Sequence, residues 1–91
     1  MKNTEKFNVD DLLNSVMDKE YSLVVYNDDK NAFNAVILIF VMGLKHTLEQ
    51  AEQCATLIHH SGKCKVKNGK ITLLEPMLKY LTECGLTAKI E

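Results

Sequence analysis

The sequence predicts an α/β (α+β) fold: a two-layer sandwich of a small three-stranded antiparallel sheet on three helices, in the order β-α-α-β-α-β. Three observations predict it. An apolar, β-branched and aromatic run, Leu23-Val24-Val25-Tyr26, stops abruptly at Asn27-Asp28-Asp29. Three later stretches carry apolar residues at helical spacing, and two short ones, 64–67 and 86–90, alternate as strands do. Ninety-one residues suffice for one hydrophobic core and not for two, so one folded domain over 21–91 is expected.

The elements follow in chain order. Residues 1–20 are polar and lack a firm period. Val9, Leu12, Leu13 and Val16 would line one side of a weak helix, but a flexible N-terminal arm fits the composition equally well. Branched and aromatic side chains suit a pleated, packed surface, so 23–26 reads as a buried strand. Asn27, Asp28 and Asp29 read as the turn after it, because short polar side chains hydrogen-bond their own backbone. Over 31–44, Phe33, Val36, Ile37 and Phe40 keep helical spacing, and Ile39, Val41 and Leu44 extend the apolar surface most of the way round. Such a helix should be buried on most sides, with Gly43 marking its end.

The second helix starts at Thr47, which with Gln50 fits a capping box. Leu48, Ala51, Cys54, Ala55, Leu57 and Ile58 form its expected buried stripe, and Gly62 ends it. Residues 64–67 resemble an edge strand, with Val66 inward and Lys65 and Lys67 outward. Asn68-Gly69 is a turn signal. The third helix is expected over 72–84, with Leu74, Met77, Leu78 and Leu81 inward and Pro76 in or near its first turn, where proline is tolerated. Gly85 closes it, and Leu86, Ala88 and Ile90 share one face of a last strand.

Composition excludes several classes. With 11 basic and 12 acidic residues the net charge is -1, which gives no footprint for generic nucleic-acid binding. The longest apolar run, 35–44, falls far short of the roughly 20 residues that span a bilayer, and the polar first ten residues lack a secretory core. Three cysteines, Cys54, Cys64 and Cys84, are an odd number without Cys-x-x-Cys spacing, as expected of free thiols in a reducing cytoplasm. No Gly-rich phosphate loop, Cys-His pair or serine elbow is present, so an enzyme is not expected. Asp28, Asp29, His59 and His60 do not make a metal site either. Adjacent histidines on a helix diverge, unlike a pair spaced i, i+4. No cofactor is expected.

Two readings of the strand end stay open on the residues alone. Asn27 and Asp28 either cap the next helix, or hold a cationic group at the mouth of an apolar core. Likewise His59 is either a satisfied core histidine or a ligand-binding one, whereas His60, about 100° further round the helix, faces the surface.

The two signatures Val24-Val25-Tyr26-Asn27-Asp28-Asp29 and Glu49-Gln50-Ala51 with Ile58-His59-His60-Ser61-Gly62-Lys63 together resemble the ClpS family. These adaptors feed substrates to the AAA+ Clp protease built from ClpA or ClpC and ClpP. The resemblance covers 23–62 without a gap, loosens over 63–80 and resumes at 86–91. It implies an N-recognin of the N-end rule, a protein that binds N-degron substrates by a free α-amino group and a bulky first residue (Leu, Phe, Tyr or Trp). Carried over, the amine site falls on Asn27, Asp28 and His59. The side-chain pocket falls on Val25, Asp29, Asn31, Phe33, Val36, Ala55, Ile58 and Leu86. The partner implied is the N-terminal domain of ClpA or ClpC, and a cytoplasmic monomer is expected. The alternative is a regulator that docks on that domain without reading N-termini. Asn31-Ala32-Phe33 replaces the family's usual Thr-Pro-Met, and Ala55 replaces a frequent methionine. Phe33 should narrow the pocket rim and Ala55 open its wall.

Overall fold

A computed structural model describes residues 19–91 and, ahead of them, Val9, Leu12 and Leu13. These three have helical backbone and exposed side chains; the rest of the expected arm up to residue 18, Val16 included, lies outside the described residues, and Glu20, at its expected end, is already in the sheet. Strand β1 (Glu20–Tyr26) is followed by helices α1 (Phe33–Leu44) and α2 (Leu48–Ser61), strand β2 (Lys63–Lys70), helix α3 (Ile71–Glu83) and strand β3 (Thr87–Ile90). The sheet order is β2-β1-β3, antiparallel throughout. The fold class and element order match the expectation. The central strand is the apolar run itself, so Leu23 and Val25 point into the one core, which they share with Phe40, Leu44, Ala55, Ile58, Leu74 and Leu81. Among the described residues no helix is long and apolar enough to cross a membrane.

Local chemistry sets several boundaries as expected. The Thr47 side chain accepts a hydrogen bond from the Gln50 amide (3.0 Å), satisfying one of the free amides at the start of α2. Gly62 ends that helix at φ 91, a left-handed conformation that a side chain would resist. Leu86, Ala88 and Ile90 do share the core-facing side of the last strand.

Elsewhere tertiary packing overrides the local signal. Asn68-Gly69 is not a turn: β2 runs straight through it, because β1 is long enough to pair down to Glu20 opposite Lys70. Gly43 does not end α1; it lies inside the helix, where the Tyr80 ring fills the space a Cβ would need, and the left-handed cap is Lys45 at φ 59. The helix α1 is also less buried than its composition suggests. Ile37, Phe40 and Leu44 are buried, but Leu38 and Met42 are 59% and 76% exposed on its outer side. Leu48 and Leu57 likewise lie on the exposed side of α2 rather than in its buried stripe. Pro76 sits in the second turn of α3, not the first; the Thr72 carbonyl that it cannot bond is on an exposed residue, within reach of water.

The register of β2 shifts between Leu23 and Val24, which pair with Lys67 and Lys65 and leave Val66 as the extra residue of a bulge. The bulge swings Lys67 to a half-buried position while Lys65 stays exposed. It also frees the Val66 carbonyl inside the protein. His46, buried in the α1–α2 connection, satisfies it by donating from Nε2 at 2.7 Å. A carbonyl only accepts, so Nε2 carries the ring proton, and the buried Nδ1 is left without a partner. The thiols of Cys54 and Cys64 meet in the same core. Burial, then the neighbouring thiol, pushes Cys54 up to about 12, so it remains an apolar filler.

Candidate functional site

Where β1 ends, the chain must leave the sheet beside the end of α2. The backbone amide of Asn27 donates to the carbonyl of Gly62 (2.8 Å), tying the last strand residue to the helix cap. The left-handed turn at Gly62 therefore decides where His59, one helical turn earlier, stands relative to Asn27.

Asp28 then organises the turn. Its Oδ1 accepts from the amides of Lys30 (2.9 Å) and Asn31 (3.1 Å) and from Asn31 Nδ2 (3.2 Å). Oδ2 receives only Asn31 Nδ2, at 3.3 Å. Partial burial pushes this carboxyl up, but the hydrogen bonds from Lys30 and Asn31 and the Lys30 charge outweigh it and hold it below the usual range. It is thus a carboxylate at neutral pH, with one oxygen engaged in the turn and the other lightly used. Asn31 Nδ2 also donates to the Gly85 carbonyl (3.0 Å), which pins the turn to the start of the last strand. The backbone of Ala32 stays extended (φ -69, ψ 148), so α1 begins at Phe33 rather than at Asn31.

Between this turn, the first turn of α1 and the last turns of α2 lies a cavity of about 270 Å³. Asn27, Asp28, Asp29, Asn31, Phe33, Val36, Ala55, Ile58 and His59 line it. Two groups named from the sequence thus meet in one hollow, the polar trio Asn27, Asp28 and His59 at its mouth and an apolar wall of Phe33, Val36, Ala55 and Ile58. Val25 and Leu86 are the exceptions: both are buried in the core and do not line the cavity. Phe33 is 44% exposed at the rim, its ring edge-on to His59 at 6.4 Å between centroids. Ala55 is buried in the wall.

The open choice for His59 is settled in part by exposure. The ring is exposed and makes contacts only with Phe33 and, at 5.2 Å, with exposed His60; it donates and accepts no hydrogen bond among the described residues. It is not a satisfied core histidine; that role belongs to His46, which no motif in the sequence singles out. The Asn27 side-chain amide is equally unengaged among the described residues. Asp28 does hold the turn, but the cap reading does not exhaust it, since α1 has its N-cap at Ala32 with no side-chain bond. Gly85 was also not foreseen as part of the site's support. Its signal is long-range, a backbone carbonyl 54 residues from Asn31.

What stands at the mouth is an acceptor-rich cluster: a carboxylate oxygen, an amide oxygen and an imidazole nitrogen, beside an apolar hollow. Among the described residues no group of three or more His, Cys, Asp or Glu is placed to hold a metal ion. Such a cluster suits a small cationic donor attached to an apolar group.

No curated protein matches the chain. The family model described as ATP-dependent Clp protease adaptor protein ClpS matches residues 17–88, a span that takes in the whole of the cavity lining and all but the last residues of β3. The chain therefore belongs to the ClpS family, the non-catalytic adaptors of the ATP-dependent Clp protease.

Proposed function

We propose that this adaptor reads the first residue of its substrates, an N-degron, holding the free α-amino group with Asn27, Asp28 and His59 and the first side chain in the adjoining hollow. The observation that carries this reading is the shared cavity: three polar groups with unused acceptors open onto the same 270 Å³ space as Phe33, Val36, Ala55 and Ile58. An α-amino group has a pKa of about 7.7–8.0, so at neutral pH it is mostly an ammonium with three donors. The lightly used Oδ2 of Asp28, the Asn27 amide oxygen and a neutral His59 nitrogen are three acceptors.

Magnitudes decide why both halves are needed. A charge-assisted hydrogen bond contributes about 1.5–3 kcal/mol, and burying a Leu or Phe side chain about 1.5–3 kcal/mol. Three such bonds and the buried side chain give about 6–12 kcal/mol, but association itself costs about 4–15 kcal/mol. The net at best reaches the roughly 8 kcal/mol of a micromolar complex, and backbone contacts to the second substrate residue supply the remainder. An internal leucine lacks the ammonium and an N-terminal glycine lacks the side chain; each forfeits one half. Leu, Phe, Tyr and Trp are the expected first residues. Phe33 at the rim and the small Ala55 in the wall set the order among them and against Ile and Val.

The bound substrate is then delivered to the N-terminal domain of a ClpA- or ClpC-type unfoldase in the cytoplasm, with the adaptor acting as a monomer. Residues 1–20 serve delivery rather than recognition. The test is one Leu-initiated peptide with a free and with an acetylated N-terminus. Acetylation removes the charge and two of the three donors, so affinity should fall at least about tenfold, the effect of losing one charge-assisted bond. Equal binding of the two forms contradicts N-terminal recognition and favours a regulator that docks on the unfoldase alone.

A further inference from the structure

The side of the sheet that faces away from the helices is chemically unlike the rest of the molecule. Alternation along β1 sends Val24 and Tyr26 to that side, and the register places Lys65 and Lys89 on either flank of Val24, and Lys63 beside Tyr26. All three lysines are exposed. The ammoniums of Lys63 and Lys89 lie 5.8 and 5.7 Å from the centre of the Tyr26 ring. No carboxylate pairs with any of the three among the described residues.

Glu91, an acid beside them, already accepts a hydrogen bond. The Tyr26 phenol donates to the Glu91 carboxylate, although Tyr26 pairs with Thr87 and Glu91 lies beside Ser22. The ring must lean along the strand over Val24 to reach it, consistent with an outward-facing valine that is only 2% exposed. An open groove of about 360 Å³ reaches from this face round the edge strand β2 toward α2, lined by Val24, Leu57, Lys63, Cys64, Lys65 and Glu91. In a chain of net charge -1 three unpaired ammoniums gathered on one face leave the remainder acidic, and Glu49 and Glu52 stand on the outer side of α2.

We propose that the lysine face of the sheet (Lys63, Lys65 and Lys89 around Tyr26) is a second docking surface, distinct from the cavity, that takes an extended acidic polypeptide segment. Spacing and charge select this occupant. Lys63 and Lys65 are two strand residues apart, roughly 6.6 Å, and Lys65 and Lys89 are two strand spacings apart, roughly 9.6 Å. Carboxylates at alternate residues of an extended segment recur at the same interval of roughly 6.6–6.8 Å. A long polyanion such as nucleic acid would run off this small face toward the acidic side of α2, whereas a short acidic segment ends before it. The half-buried Tyr26 ring that covers Val24, with the exposed Leu57 beyond the β2 edge, accepts the segment's aliphatic carbons.

The test uses the full chain and a peptide of alternating Glu and Ser, N-acetylated and C-amidated, so that it has no free amine for the cavity. Failure here therefore leaves the N-terminal reading standing, and the reverse holds as well. In an amide NMR titration at low salt the peptide should give saturable shifts confined to residues 24–26, 63–65 and 87–91, weakening as salt is added. Exposed ion pairs each give a factor of roughly 1.4–5. The triple variant Lys63→Glu/Lys65→Glu/Lys89→Glu should therefore bind roughly tenfold more weakly or worse, while Lys45→Glu/Lys79→Glu stays within about twofold of the parent. Should the triple reversal fail to fold by circular dichroism, Lys63→Gln/Lys65→Gln/Lys89→Gln replaces it, with a smaller loss in the same direction. Absence of saturable shifts, shifts centred elsewhere, equal losses in the two variant sets, or tighter binding of a single-stranded oligonucleotide than of the peptide overturns the proposal.

Discussion

Two histidines mark two regions that the same sheet supports for opposite ends. His59 stands exposed at the mouth of the cavity where β1 meets the end of α2, with its ring nitrogens unused among the described residues. His46 is buried under the bulge of β2, where Nε2 completes the hydrogen bonding of Val66. The first has polar atoms to offer a ligand and little packing to lose. The second has packing and a satisfied carbonyl, and nothing to offer. The fold thus separates the corner that serves stability from the corner proposed for recognition, and substitutions should separate the two effects in the same way.

The largest effect expected on the folded state is at the buried corner. His46→Leu keeps most of the volume but leaves the Val66 carbonyl buried without a donor, which costs about 1–3 kcal/mol. Denaturant unfolding measures that loss, and peptide affinity of the folded fraction should not change. A His46→Leu protein as stable as the parent would remove the contrast. At the exposed corner the pattern reverses. His59→Ala should leave stability within about 0.5 kcal/mol, yet weaken a Leu-initiated peptide roughly tenfold, as expected of one lost charge-assisted bond.

Asn31 tests how the two kinds of region join. Its side chain links the Asp28 carboxylate to the Gly85 carbonyl, so it supports the site without being free to bind. Asn31→Ala should cost about 1 kcal/mol of stability and also weaken the peptide, by less than His59→Ala does. The smallest effect lies in acid. Asp28 titrates below the ordinary carboxylate value, so its charged form favours the folded state. That contribution is complete above the ordinary value and is lost as the pH falls from there toward the lower folded value. The stability of Asp28→Asn should therefore differ from the parent in its slope against pH only inside that window, and by little, because the group is largely solvated. A change of slope above it would point to another carboxylate.

The same contrast explains what the sequence made legible. The turn at Asn27-Asp28-Asp29, the cap at Thr47 and Gln50 and the left-handed stop at Gly62 are local events, written in neighbouring residues, and each is found where the chain announces it. The polar trio and the apolar wall followed because the strand end and the helix end are both local features joined by one backbone bond, Asn27 to Gly62. What was hidden depends on partners far along the chain. Asn68-Gly69 has the chemistry of a turn, but pairing with Tyr21 and Ser22 keeps it extended. Gly43 looks like a helix stop, and only the approach of Tyr80 gives it another purpose. The role of His46 follows from a bulge that no pattern of apolar residues encodes, and the exposure of Leu38 and Met42 from the absence of a layer above α1 among the described residues. Val25 and Leu86 misled for a related reason. Apolar residues beside a pocket and residues lining it share one composition, and only depth tells them apart.

The central claim is that the Asp28 carboxylate meets the ammonium of a substrate's first residue. The most direct measurement is a four-way comparison of the parent and Asp28→Asn, each titrated with the same Leu-initiated peptide bearing a free or an acetylated N-terminus. Asparagine retains an oxygen that can accept the amides of Lys30 and Asn31, so the turn should persist while the charge is lost. The free peptide should then bind roughly ten- to a hundredfold more weakly to the variant, and the acetylated peptide should bind both proteins alike. An equal loss for both peptides would mean that Asp28 shapes the pocket without touching the amine.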